Sequence, residues 1–106
     1  MGNYSYHRSV RIAKLVQAEL AECWLQGRVP NLGPQQLIIQ NISIQAHFST
    51  IEATVTILPG ANLETVEQTL NQNISLMRKY LAQKLQLRSM PRLRFHCLPF
   101  GSTKTE

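Results

Sequence analysis

The side chains that could do chemistry in this sequence are cations. Eleven Lys and Arg stand against six acids, giving a formal charge of +5 and a pI near 9.7. All six acids are Glu, and none falls between Glu67 and Glu106. That interval holds Arg78, Lys79, Lys84, Arg88, Arg92, Arg94 and Lys104, while a second cluster, Arg8, Arg11 and Lys14, precedes the first acid, Glu19. Clustered cations favour a polyanionic partner, either nucleic acid or an anionic membrane surface. Most of these cations are Arg, whose planar fork bonds two phosphate oxygens at once. The plain alternative is a solvated basic face making surface ion pairs. The stretch without acids argues against that alternative locally.

Catalytic designs fare badly. His7, His47, His96, Cys23 and Cys97 have no metal-ligand spacing, and His96 and Cys97 are neighbours that a strand would point to opposite faces. With no Asp in the chain and no nucleophile, base and orienting group in view, the expectation is a non-enzyme without cofactor, metal or small-molecule substrate. Cys23 and Cys97 are far apart, which suits reduced thiols in a cytoplasmic protein; an organellar matrix or stroma is the other setting left open. No stretch approaches the roughly 20 apolar residues of a membrane span, so no membrane association is expected.

These cations must be held by a scaffold. A chain of 106 residues suits one domain, taken as 1–106 with flexible ends at 1–5 and 99–106, and most simply a monomer. Residues 6–26 read as a long amphipathic helix. Ile12, Val16, Leu20 and Trp24 recur at i, i+4, with Leu15 and Cys23 beside them and Gly27 as the stop. Pro30, Gly33 and Pro34 mark a loop. Strands follow at 37–44 and 51–58, the first with a phase shift near Asn41 that suggests a bulge. Pro59-Gly60 ends the second strand, and Asn62 is an N-cap for a helix over 63–72. Asn71 to Ser75 is poor in helix formers and predicts a break. A further helix runs to about 86, with Ile74, Met77, Leu81 and Leu85 on one face, and Pro91 precedes a last strand over 93–98.

On this scaffold, Arg78, Lys79 and Lys84 share a helix and Arg88 follows it. Arg92 and Arg94 share the outer face of the last strand by its period of two. Arg8 and Arg11 are i, i+3 neighbours at the start of the first helix. Asn73 and Ser75, in the break, could bond to RNA; the competing reading is that the Asn and Ser residues there cap the two helices. Trp24 and Phe95 are expected in the core. Tyr80 falls off the core stripe and is expected at the surface, where it could stack on a base.

The order helix, strand, strand, helix, helix, strand is that of a type II KH domain, an α+β fold with a three-stranded sheet packed against helices. The stretch Leu85-Gln-Leu87-Arg88-Ser-Met-Pro91-Arg-Leu93-Arg-Phe95 resembles the "L-x-L-R-x-x-P-x-L-x-F" stretch of the ribosome-binding factor A family. Arg8 to Ala13 followed by Glu19-Leu20-Ala21-Glu22 resembles that family's opening helix, and Asn73 to Leu81 the helix before the motif. The resemblance covers about residues 8–96. Where the family has a Ser-x-Asp-Leu turn, this sequence reads Gln45-Ala46-His47-Phe48, and where it has Ala-x-Gly at the helix kink, Asn73-Ile74-Ser75. The family also continues further past the last strand than this sequence does.

The resemblance implies a maturation factor that binds ribosomal RNA of the small ribosomal subunit late in assembly and then leaves, without catalysis or cofactor. No Gly-x-x-Gly pair is present to clamp single-stranded RNA as KH domains do. Recognition of backbone and shape is therefore expected. The competing reading is a permanent KH-like ribosomal subunit, or an adaptor binding an acidic protein partner.

Overall fold

The computed structural model describes residues 2–101, with side chains for 8–45 and 47–101. The first helix, α1 (Gly2–Leu25), starts four residues ahead of the sequence expectation. Its stripe is buried as the i, i+4 spacing requires: Val16, Leu20 and Cys23 are wholly enclosed and Trp24 nearly so. Leu15, read as flanking the stripe, instead faces solvent with 49% of its surface exposed. The helix ends in a Schellman arrangement. The Arg28 N–H donates to the Cys23 carbonyl (3.1 Å) and the Gly27 N–H to Trp24 (3.0 Å), with Gly27 at φ 73°. The loop that follows tucks Val29 and Leu32 into the core.

Strands β1 (Leu37–Ile44) and β2 (Thr50–Ile57) pair antiparallel through a tight turn at Ala46–Phe48. Register slips between Ile39 and Asn41, so Gln40 is the bulge residue. The slip restores phase: Ile42 and Ile44 join Leu37 and Ile39 on the core face. Gln40 turns to the other face, where its Nε2 donates to the Thr56 hydroxyl at 2.7 Å.

Helix α2 (Leu63–Gln72) opens with the Asn62 side chain accepting from the Thr65 N–H at 2.9 Å. After the break at Asn73 comes α3 (Ile74–Leu85). Together they form the crossover that a parallel strand needs. Strand β3 (Arg92–Leu98) then pairs parallel to β2, giving the sheet order β1-β2-β3. Ile51, Ala53, Val55, Ile57 and Leu93 pack on the helices, which cover one side of the sheet. The opposite face carries Asn41, Ser43, Thr50, Glu52, Arg92, Arg94 and His96. This is an α+β, KH-like arrangement.

A second placement, after Leu15, overturns the sequence expectation. Tyr80 is not a surface residue: it is 5% exposed and belongs to the core. The four-residue stripe read for α3 was too narrow. Helix α1 lies against α3 and widens its apolar arc by one position. The Trp24 indole N–H donates to Met77 Sδ at 3.4 Å in the same contact. Phe95 is half-buried against Trp24, ring centroids 6.3 Å apart.

Candidate nucleic-acid interface

The segment from Leu87 to Arg94 organises most of the cations expected to matter. Helix α3 ends at Gln86, a left-handed C-cap at φ 54° that turns the chain sharply. The chain then runs past Arg88 and Pro91 into β3. Arg78 holds this turn in place. Its Nε–H donates to the Pro91 carbonyl (3.1 Å) and its Nη2–H to the Met90 carbonyl (2.8 Å). The fork thus satisfies two carbonyls ahead of β3, and the rest of the guanidinium remains available beside Arg92 and Arg94.

Arg78, Arg92 and Arg94, with Ile74 and Leu93, line a groove of about 320 Å³ along the free edge of β3. Leu93 points inward and is 4% exposed, while Arg92 and Arg94 are exposed. The alternation is the one the strand period demands. Glu52, the cross-strand partner of Arg94, does not pair with it. Its carboxylate lies 3.4 Å from His96 Nε2. Among the described residues, no Arg or Lys forms an ion pair. Their charge is therefore not neutralised internally.

A second cleft, of about 410 Å³, is lined by the same turn, with Arg8, Phe48 and Arg88 in its wall. Ile12, Leu87 and Pro91 supply apolar surface, and Gln86 and Ser89 add uncharged polar groups. The Arg8 guanidinium sits over the Phe48 ring, 5.3 Å from its centroid. Among the described residues, no acid lines either cleft.

The remaining candidates lie apart. Arg11 and Lys79 are exposed on their helices and line neither cleft. Lys84 and Arg28 both lie over the Tyr80 ring, 5.5 Å and 5.4 Å from its centroid. Burial and, after it, nearby Glu19 push the Tyr80 phenol pKa up. Asn73 is engaged in capping: its Nδ2 donates to the Thr69 carbonyl at 2.8 Å and closes the end of α2. Ser75 is exposed in the first turn of α3.

Phe48, Gln86, Ser89 and Arg28 were not among the residues singled out from sequence. Phe48 carried one weak signal, a large aromatic in a hairpin turn. Its meeting with Arg8 depends on how α1 lies across the sheet.

Comparison with known proteins identifies the family and the fold. The sequence model of the family "Ribosome-binding factor A" matches residues 8–97. This chain belongs to the ribosome-binding factor A family. Ribosome-binding factor A of Ralstonia pickettii is 28% identical over 89 residues, covering 84% of this chain and 71% of that protein. That of Christiangramia forsetii is 31% identical over 94 residues, covering 85% and 71%. Among solved structures, a putative ribosome-binding factor A of Thermotoga maritima superposes with a TM-score of 0.75 at 20% identity, covering 93% of this chain and 94% of that one. The crystal structure of ribosome-binding factor A from Thermus thermophilus gives 0.69 at 19% identity, over 89% and 98%. A homology model of the Thermus thermophilus protein, fitted into a cryo-EM map of its complex with the 30S subunit, gives 0.65 at 18% identity, over 80% and 89%. Among the described residues no helix is long and apolar enough to cross a membrane, and no group of three His, Cys, Asp or Glu could hold a metal ion.

Proposed function

We propose that this protein is a maturation factor of the small ribosomal subunit that binds ribosomal RNA through the basic surface built around Arg88 to Arg94. The observation that carries the reading is that Arg8, Arg78, Arg88, Arg92 and Arg94 line two clefts, one at the turn after α3 and one at the strand that follows it, with no acid among the described lining residues. An RNA backbone has a regular row of phosphates, and cations so placed displace its counterions on binding. The edge groove is open and shallow, which suits backbone and shape recognition. Membership of the ribosome-binding factor A family, and the 30S complex of the Thermus thermophilus protein, support the small subunit as the target. Arg11, Lys79 and Lys84 serve in this reading as long-range attraction, and Asn73 as a structural cap.

Gradient sedimentation of cell extract, with crosslinking to RNA, tests the proposal. The protein should travel with free small subunits and crosslink to their ribosomal RNA. Equal presence on translating ribosomes would instead indicate a permanent ribosomal subunit. Binding that resists nuclease would indicate an adaptor for an acidic protein.

A further inference from the structure

The cleft between Arg8 and Arg88 differs from the edge groove in kind. The groove joins three guanidinium groups to two aliphatic side chains, Ile74 and Leu93, and has no aromatic ring. The cleft joins two guanidinium groups to an aromatic ring and to the apolar side chains of Ile12, Leu87 and Pro91. Its volume of about 410 Å³ falls in the range of small-ligand sites. A bare phosphate would leave the apolar wall unused, and an apolar peptide side chain would leave two cations unanswered. A nucleotide satisfies both: it carries a flat, stackable face and an anion on one short frame.

The backbone around the cleft is also unusual. His47 and Phe48 are consecutive left-handed residues, at φ 59° and 56°, and Gln86 is a third at φ 54°. None is Gly, and for a bulky side chain this region is strained. The strained turn brings the Phe48 ring under Arg8 rather than leaving it in solvent.

We propose that the Arg8–Phe48–Arg88 cleft receives one unstacked nucleotide of single-stranded ribosomal RNA. The base extends the Arg8–Phe48 stack by one layer, and its phosphate lies against Arg88. Gln86 and Ser89, which also line the cleft, supply the polar groups for the base edge. This inference rests on the RNA-binding reading above and adds a preference to it: unpaired over paired RNA. It also gives the turn Gln45-Ala46-His47-Phe48 a role of its own. Stacking is tolerant of base identity because every base has a π-face, so the preference is for an unpaired nucleotide, not for one sequence.

The test uses the full chain with a fluorescent single-stranded oligoribonucleotide and a duplex of the same strand. Phe48→Leu keeps the apolar bulk and removes the ring. It should weaken single-strand binding about tenfold to hundredfold and leave duplex binding and the melting temperature unchanged. Phe48→Tyr should restore single-strand binding. Irradiation of a single strand carrying iodouridine should crosslink to Phe48. Adenosine monophosphate should compete for the cleft where inorganic phosphate at equal ionic strength does not. Unchanged single-strand affinity in Phe48→Leu, or crosslinks only outside the cleft, would overturn the pocket and leave the edge groove standing. Equal competition by phosphate would reduce the cleft to an anion site, and tight binding of the mononucleotide without binding of the strand would assign it to a free nucleotide. Either result overturns the proposal. If Phe48→Leu misfolds, Arg88→Ala supplies the same comparison from an exposed position, with loss for the single strand exceeding loss for the duplex. A native chain that binds neither RNA would overturn the RNA reading itself.

Discussion

Replacing Arg92 and Arg94 together by Ala should flatten the salt dependence of RNA binding without touching the fold. Both side chains are exposed on the outer face of β3, and among the described residues neither pairs with a carboxylate. Surface changes of this sort alter stability by only about 0.5 kcal/mol. Each phosphate contact contributes a slope of about 0.7 to 0.9 in log K against log salt. Two lost contacts should therefore lower the slope by about 1.4 to 1.8. Over a fourfold rise in salt, that amounts to about tenfold less loss of affinity than the native chain shows. Fluorescence anisotropy across a salt series measures the slope, and thermal melting checks the fold. A double variant that keeps the native slope would show that β3 does not touch phosphate. A variant with the slope intact and the melting point lowered would show that the two Arg have a structural task instead.

Other changes separate structure from binding. Arg78→Ala should destabilise by about 1–3 kcal/mol, because it strands the Met90 and Pro91 carbonyls that the guanidinium now satisfies; Arg78→Lys should recover only part of the loss, since one ammonium cannot reproduce the fork, and denaturant titration reads both. Tyr80→Phe should leave stability unchanged or raise it by about 1 kcal/mol, because the buried hydroxyl has no hydrogen-bond partner among the described residues, and a loss of stability would reveal a partner. Burial, and secondarily the Glu67 carboxylate, push the Cys97 thiol from 9.0 up to about 11. Above pH 9 the unfolded thiol sheds its proton while the folded one keeps it, so the unfolded state binds fewer protons and stability should fall as pH rises from about 9 to about 11. Cys97→Ala should flatten that decline in melting experiments at graded pH.

The alternation Leu93, Phe95 against Arg92, Arg94 was readable because a strand has a period of two and one side must meet a core. The Gln40 bulge was readable because a skipped apolar position in Leu37–Ile44 demands an extra residue to restore phase. Asn62 and Gly27 showed their roles directly, since caps are local chemistry. Tyr80 was misplaced because a stripe drawn on one helix does not say how wide an arc its neighbour covers. Arg78 gave no sign of its clamp on residues 90 and 91, which requires the chain to fold back on α3. Phe48 and Arg8 stand 40 positions apart in the sequence, and no local pattern links them.

Composition and periodicity thus determined the elements, the caps at Gly27 and Asn62, the two faces of the last strand and the sign of the surface charge, because each follows from interactions within a few residues. Tertiary structure alone decided which cations share a cleft, which one is tied to the backbone, and that an aromatic ring from a hairpin turn meets a guanidinium from the first helix. Those outcomes depend on the crossing of α1 over the sheet and on the return of the chain after α3. Such long-range packing is settled by the whole core at once and by no short stretch of it.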